Sequence, residues 1–177
     1  MENELFAYYE RLDGLIADFR SATGLACPRG CGWCCETGDP EMTVFEALPL
    51  ARHILANPDL LAKYEAYRHS GAGKPCFFYD ANADYHCTVY PIRSMICRMF
   101  GYSGGRDKHG QPRFAPCAKM RTGSAWQAPE AVPVFQEARY KLLSITPPEL
   151  ARLQPFAAAL AEAVDRESLR MRLQPHE

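Results

Sequence analysis

The spacing of apolar and polar positions is helical at the beginning of the chain. Between residues 4 and 20, apolar side chains recur every three or four residues, which gives one face of a helix to a core. Gly24 and the Cys27-Pro28 pair that follows predict the end of this helix. The apolar positions are Leu5, Tyr8, Tyr9, Leu12, Leu15, Ile16 and Phe19.

Capping residues predict the next two helices. Thr43 followed three residues later by Glu46 is a capping-box pattern, and it predicts a helix to about residue 56. Pro58 favours the first turn of another helix, which Gly71 ends.

Two more helices are predicted towards the C-terminus. Pro129 opens one that runs to about Ser144. Thr146 and Glu149 form a second capping-box pattern, leading a helix towards residue 172 that Pro155 should bend or split.

The middle of the chain is less regular. Residues 76–79 and 85–90 are aromatic and β-branched and predict a small hairpin. Pro91 then starts a short helix carrying Cys97, and the Gly- and Pro-rich residues 101–117 predict a loop. The expected fold class is mostly α, a single compact helical domain with a small β-hairpin and a cysteine-rich metal-binding centre.

Length and composition indicate how many domains the chain forms and which classes of protein it does not resemble. A chain of 177 residues suffices for one domain, so residues 1–177 are expected to form it, with a cysteine-cluster core at 25–120 between supporting helices. The net charge of -1 favours neither nucleic acid nor an anionic membrane as partner. No apolar stretch reaches the ~18 residues of a membrane span, and the acidic N-terminus is unlike a secretory signal. These features predict a cytoplasmic protein.

A reducing cytoplasm changes how eight cysteines are interpreted. Thiols stay reduced there, so a cluster indicates metal binding or catalysis in preference to disulfides, with ordinary buried thiols as a further alternative. All eight lie between positions 27 and 117, unlike scattered core cysteines. The candidate metal ligands are Cys27, Cys31, Cys34, Cys35, Cys76, Cys87, Cys97 and Cys117.

The densest motif is Cys27-Pro-Arg-Gly-Cys31-Gly-Trp-Cys34-Cys35, with four thiols in nine residues. Cys31 and Cys34 have C-x2-C spacing, which lets one turn point both sulfurs at a single ion, and soft thiolates suit zinc or iron. The adjacent Cys34 and Cys35 are expected to point in different directions and to serve two metals, or a ligand and a second role. The eight thiols could fill two four-cysteine zinc sites, or a [4Fe–4S] cluster with four left over.

Local charge supports a buried thiolate site. From Tyr90 to Thr122 there are seven basic side chains and one acid, although the whole chain is nearly neutral. Four thiolates on a divalent ion leave a charge of -2, which nearby cations would balance. Arg98, directly after Cys97, is the best-placed candidate for contact with the cofactor, together with Arg93. A solvated basic face and an anion-binding groove are the alternatives.

Two other residue types bear on the site. His86, next to Cys87, is the histidine with the strongest claim to coordinate, because imidazole suits both zinc and iron. Tyrosines surround the second cysteine set, and an aromatic shell that keeps water out is their expected role. These tyrosines are Tyr79, Tyr85, Tyr90 and Tyr102.

The cysteine spacing resembles that of the YkgJ-type cysteine-cluster proteins, bacterial proteins with a CxxxCxxCC motif described as zinc- or iron-chelating. The resemblance covers roughly residues 25–120 and departs from the family pattern at Ser94, where proline is usual. It implies metal chelation by cysteine in a bacterial cytoplasm. A similar cluster occurs in a flagellin lysine N-methylase, where it looks like an iron–sulfur element, but that chain is much longer. The matching positions are the eight cysteines with Phe77, Phe78, Tyr90, Arg93, Arg98 and Phe100.

The expected function is therefore chelation of zinc or iron, including iron in a [4Fe–4S] cluster, with a metal ion as the one partner the sequence names. Two alternatives remain. One is an iron-dependent redox or group-transfer enzyme whose anionic substrate is held by the basic stretch. The other is a metal-stapled module that binds a protein partner.

Overall fold

A computed structural model describes residues 2–71, 74–83, 85–114, 116–120 and 132–173. Most of the described residues are helical, which confirms the predicted mostly α class. None of the helices in these ranges is long and apolar enough to cross a membrane. The α-helices, in chain order, are α1 (Glu2–Thr23), α2 (Trp33–Thr37), α3 (Val44–Leu55), α4 (Pro58–Ser70), α5 (Met95–Met99), α6 (Phe135–Ile145) and α7 (Phe156–Leu173).

Short strands and single turns of 3-10 helix connect these helices. Internal contacts divide the chain into two compact units, the first made of residues 1–31 and 95–145 and the second of residues 32–94 and 146–177. The strands are β1 (Glu41–Thr43), β2 (Gly105–Arg106), β3 (Pro112–Arg113) and β4 (Leu153–Pro155), and the 3-10 turns are Tyr90–Ile92 and Pro148–Leu150.

The first unit is organised by α1, whose predicted apolar face is buried except at Leu15, which is 55% exposed. Helices α5 and α6 pack against α1, and the Tyr8 hydroxyl donates a hydrogen bond of 2.9 Å to the Ala138 carbonyl of α6. Gly24 ends α1 as predicted, with a positive φ of 67° and its N–H bonded to the Arg20 carbonyl. Strands β2 and β3 pair antiparallel within a segment predicted to be a loop.

The second unit is organised by α3 packed on α7. Alanines with no exposed surface allow the two backbones to approach closely, Ala47 and Ala51 on α3 and Ala159 and Ala163 on α7. The predicted capping box is present: the Thr43 side chain accepts from the Glu46 N–H, and the Glu46 carboxylate accepts from the Thr43 N–H. Strand β1, which ends at that capping threonine, pairs antiparallel with β4, which leads directly into α7.

The helix predicted after Pro58 is also confirmed. Asn57 caps α4 by accepting from the Leu60 N–H at 3.1 Å, and Pro58 occupies the first turn. Gly71 follows the helix with a φ of 65°, a left-handed conformation that glycine adopts without strain.

Two C-terminal predictions need correction. The pattern of Thr146 and Glu149 does not open a long helix: it precedes the 3-10 turn, whose N-cap is Pro147 without a side-chain cap bond. Pro155 does not split α7 but ends β4, because its missing N–H is tolerated at a strand end and helix α7 begins at the next residue. The predicted helix start at Pro129 lies outside the described residues, and α6 begins at Phe135.

The hairpin predicted over residues 76–90 is reduced to one bridge. Tyr79 pairs antiparallel with Cys87, and the Thr88 N–H donates to the Phe78 carbonyl at 3.0 Å. A longer ladder is prevented because His86 has a φ of 53°, outside the β region, and because the 3-10 turn begins at Tyr90. The chain therefore reverses here, and the residues described on either side of position 84 form no extended strands.

Candidate metal centre

The eight cysteines divide evenly between the two units, and all carry free thiols. Four belong to the first unit and four to the second. The boundary falls between Cys31 and Gly32, so the two cysteines of the C-x2-C pair are assigned to different units. The first set is Cys27, Cys31, Cys97 and Cys117, and the second set is Cys34, Cys35, Cys76 and Cys87.

The adjacent Cys34 and Cys35 lie on the one-and-a-half-turn helix α2. The Gly32 carbonyl accepts from the N–H groups of both Cys35 and Glu36, at 2.8 and 3.0 Å, which starts the helix. The Cys34 and Cys35 side chains are in hydrogen-bonding contact with each other. The sequence expectation that they point apart is therefore wrong for this structure.

Cys35 is the centre of the second set. Its thiol is within hydrogen-bonding contact of the sulfurs of both Cys34 and Cys87, to either of which it can donate its one proton, and its carbonyl accepts from the Cys76 N–H at 2.8 Å. The single bridge between Tyr79 and Cys87 is what places Cys87 in this group. Residues separated by up to 53 positions in the sequence are thus brought together around one thiol.

These contacts change the acidity of the three thiols. The hydrogen bond to Cys35 and, to a smaller extent, the charge of Arg93 lower the pKa of Cys34 to about 6 and that of Cys87 to about 7, against the effect of burial. The same hydrogen bonds, aided by burial, raise the pKa of Cys35, which keeps the shared proton. Cys34 and Cys87 consequently have the thiolate character that metal ligands require.

Arg93 is held in place by aromatic stacking. Its guanidinium carbon lies 3.7 Å from the centre of the Tyr90 ring, and that ring stacks on Tyr85 at 4.6 Å and 26°. Tyr85 is 51% exposed, so the stack runs from solvent to the cation beside the thiols. Tyr90 therefore positions Arg93, which the sequence did not predict, and its predicted role in keeping water from the site stays a prediction.

His86 packs over the glycine that begins α2. A Cβ atom on Gly32 would lie 2.5 Å from both His86 Nδ1 and Tyr79 Cε2, so only glycine fits under the two rings. His86 Nδ1 is buried, and no hydrogen-bond partner reaches it among the described residues. The Tyr79 hydroxyl donates instead to Glu36, at 2.6 Å.

The cysteines of the first unit include two that flank a tight turn after α5. The Cys27 N–H donates to the Tyr102 hydroxyl at 2.8 Å, and the Cys117 Cβ is 3.2 Å from where a Cβ on Gly101 would stand. Gly101 has a φ of 82°, which makes the turn and leaves room for the Cys117 side chain. Cys97 lies on α5, which ends two residues before this turn.

Arg98 and other basic residues of the stretch are engaged with acids. Arg98 is 4% exposed, forms an ion pair with Asp13, and stacks over the Tyr9 ring at 4.1 Å. Arg106 forms an ion pair with Glu137, and Arg113 forms one with Asp107. Backbone hydrogen bonds and the bond from Arg113 lower the pKa of Asp107. Much of the local positive charge is therefore balanced by acids.

The donor set fits a thiophilic metal ion. Within the described ranges, no three His, Cys, Asp or Glu side chains already converge as a complete ion-binding group. Cys34, Cys35 and Cys87 nevertheless lie in hydrogen-bonding contact, with Arg93 at hand to balance their charge. Spacing alone revealed the cysteines, but the grouping of the second set depends on contacts that no sequence pattern encodes.

Comparison with known proteins agrees with this chemistry. The CxxCxxCC family model, whose description is "Putative zinc- or iron-chelating domain", matches residues 26–119. No curated protein and no solved structure matches the chain. The matched segment is more than half of the chain and contains all eight cysteines. The chain therefore belongs to the CxxCxxCC family of zinc- or iron-chelating domains.

Proposed function

We propose that the protein binds zinc or iron at two cysteine centres, one formed within each unit. The observation that carries this proposal is the network around Cys35, which joins Cys34 and Cys87 by hydrogen bonds and Cys76 through its backbone. All four cysteines belong to the second unit, and the other four belong to the first. This assignment differs from the sequence expectation that Cys31 and Cys34 bind a single ion, because it places them in different centres.

The chemistry of the second set favours a metal over a passive cluster of thiols. Thiolates are soft ligands that suit zinc and iron. The pKa values of Cys34 and Cys87 are lowered, so both thiols give up a proton to an incoming cation more readily than an ordinary cysteine does. Arg93 then offsets part of the negative charge that the thiolates leave on the ion.

The identity of the metal is the next part of the proposal. Thiolate sets of this kind accept a single zinc ion, a single iron ion or an iron–sulfur cluster such as [4Fe–4S]. Free thiols in this number persist only in a reducing compartment, so we place the protein in the cytoplasm. Iron and acid-labile sulfide are the measurements that separate the three forms.

The test is metal and sulfide analysis, with an absorption spectrum, on protein purified without oxygen. We compare the wild type with Cys76→Ser from the second set and Cys97→Ser from the first. Each variant should lose the metal of its own centre and keep that of the other. Iron with equimolar sulfide and a brown colour would identify a cluster, and zinc without colour would identify mononuclear sites.

The matched control is His53→Ala, because His53 is exposed on α3 and should leave the metal content unchanged. Full metal retention by both cysteine variants would refute metal binding through these two sets. Loss of all metal in either variant would instead indicate one shared centre, contrary to the division proposed above.

A further inference from the structure

His86 is held in an unfavourable backbone conformation beside a proposed ligand. Its φ of 53° is left-handed, a region that is unfavourable for residues other than glycine, although histidine tolerates it better than most. Two hydrogen bonds fix the turn, from the His86 N–H to the Ala83 carbonyl at 2.9 Å and from the Asp80 N–H to the His86 carbonyl at 3.1 Å. The next residue is Cys87, which belongs to the second cysteine set.

This conformation leaves the imidazole half-buried in the second unit, with its Nδ1 atom out of contact with solvent. The ring meets Tyr79 edge-on, with centroids 5.5 Å apart and planes at 88°, and Nδ1 lies over Gly32. Nδ1 is buried and makes no hydrogen bond among the described residues, although leaving such an atom unsatisfied is unfavourable. The nearby Tyr79 hydroxyl is committed to Glu36.

We propose that His86 Nδ1 is a ligand of the metal in the second unit, beside three of its four cysteine thiolates. The inference rests on the proposed function, because it needs a metal at that set. It explains together the strained turn, the buried nitrogen without a partner and the glycine beneath it. Imidazole nitrogen is a ligand that both zinc and iron accept next to sulfur.

Charge is consistent with this ligand set. A divalent ion with four thiolates has a charge of -2, whereas three thiolates and a neutral imidazole leave -1. Arg93 is the cation that acts on both Cys34 and Cys87. The single charge of Arg93 balances the set of three thiolates and an imidazole, and not the set of four thiolates. The fourth cysteine of the set, Cys35, would then stay neutral and donate its thiol proton to the metal-bound sulfur of Cys34 or Cys87.

The test uses cadmium-113, which takes thiolate and imidazole ligands and has a nuclear spin. Protein loaded with this isotope and labelled with nitrogen-15 in its histidines should show scalar coupling between cadmium and His86 Nδ1. The exposed His53, His69 and His109 should remain uncoupled. One of two cadmium resonances should also lie at the position for mixed nitrogen and sulfur ligands.

Two variants test the same ligand assignment by zinc affinity, independently of the cadmium coupling. His86→Asn keeps a residue that tolerates a positive φ but removes the imidazole, and it should weaken zinc binding at one of the two sites by at least ~10-fold. The control His109→Asn, on an exposed turn, should have no effect. If His86→Asn fails to fold, the coupling in the otherwise unaltered chain still decides the question.

The outcomes separate this inference from the proposed function. Bound cadmium with both resonances at the all-thiolate position and no coupling to His86 would overturn the ligand assignment and leave metal binding intact. Cadmium that fails to bind, or that binds unchanged in Cys76→Ser and Cys97→Ser, would overturn both proposals.

Discussion

Arg93 lies face-on against Tyr90, with its guanidinium carbon 3.7 Å from the ring centre, and its charge lowers the pKa of Cys34 and Cys87. The ring restricts the arginine to one side, so the charge is delivered to the thiols by a fixed group and not by a freely moving side chain. The relationship links an exposed aromatic stack to the acidity of the proposed metal ligands.

Replacing Arg93 by glutamine should make the metal easier to remove with acid. Without the positive charge the pKa values of Cys34 and Cys87 rise, so protons compete with the metal at a higher pH. We expect the midpoint pH of metal release to increase by roughly 0.5. That is about half of the 1.4 kcal/mol that one pKa unit represents. A zinc or iron indicator followed during acid titration measures it.

Two variants control for charge and for stacking. Arg11→Gln removes the same charge from an exposed position of α1 and should leave the release midpoint unchanged. Arg93→Lys keeps a cation but loses the flat stacking surface, and it should fall between the wild type and Arg93→Gln. An unchanged midpoint in Arg93→Gln would show that this charge has no influence on the ligands.

Gly32 should tolerate no side chain. The Cβ of Gly32→Ala would stand 2.5 Å from His86 Nδ1 and Tyr79 Cε2, a distance that forces the rings or the start of α2 to move. We expect a loss of about 1–3 kcal/mol in the free energy of unfolding, together with weaker metal binding. Urea denaturation and zinc competition measure the two effects.

Gly14 is a glycine at which an added side chain should stabilise the protein, in contrast to Gly32. It lies inside α1, where an added Cβ meets no atom within 4 Å. Gly14→Ala should therefore stabilise the protein by about 0.5–1 kcal/mol, because alanine loses less backbone entropy in a helix. If the two substitutions had equal effects, the close packing at Gly32 would be refuted.

The sequence predicted those features whose causes are local. The boundaries of α1, α3 and α4 follow from apolar spacing, from the Thr43 capping box and from Gly71, all of which act over a few residues. The same pattern failed at Thr146, because the pairing of β4 with β1 requires an extended segment before Phe156. Long-range pairing overrode a local preference there.

The candidate site divides in the same way. Cysteine spacing identified the eight residues, but which thiols meet depends on the turn that brings Cys87 back to Cys35. The sequence also pointed to Arg98 as the main charge partner because it follows Cys97, whereas the structure pairs Arg98 with Asp13 and sets Arg93 beside the thiols. Adjacency in sequence does not determine the direction of a side chain on a short helix.

The Thr43 hydroxyl of the capping box should contribute more to the free energy of unfolding than a single hydroxyl usually does. Thr43 has no exposed surface and Glu46 is 2% exposed, so water cannot replace the hydrogen bonds between them. We expect Thr43→Ala to lower the free energy of unfolding by about 2 kcal/mol, at the upper end for N-caps. Thr43→Ser keeps the hydroxyl and should retain most of the free energy of unfolding that Thr43→Ala loses. Chemical denaturation of both variants measures the difference.

The exposed cap of α4 gives a comparison for this buried one. Asn57→Ala removes the bond to the Leu60 N–H in a place where water can take over. Its cost should be nearer 0.5–1 kcal/mol. A larger loss at Asn57 than at Thr43 would contradict the argument from burial.

Glu167 on α7 should stabilise the second unit in a pH-dependent way. Its carboxylate is almost buried, yet hydrogen bonds from Arg52 and Arg170, each 2.9 Å, outweigh burial and lower its pKa. A lowered pKa stabilises the fold above the ordinary value of about 4.3, and that contribution is lost as the pH falls through the folded pKa. Glu167→Gln should therefore cost about 1–2 kcal/mol at pH 7, since both arginines are partly exposed and can be solvated again.

The difference between Glu167→Gln and the wild type should shrink as the pH falls below the ordinary value of about 4.3 and through the lowered folded pKa, because the wild-type carboxyl then becomes protonated. Asp165→Asn is the matched control on the same helix: its pair with Arg68 is 60% exposed on the aspartate side, and exposed pairs contribute about 0–1 kcal/mol. Urea denaturation at several pH values measures both variants. A loss at Glu167 that stays constant from pH 7 to pH 3 would show that packing, and not the ion pair, accounts for its contribution.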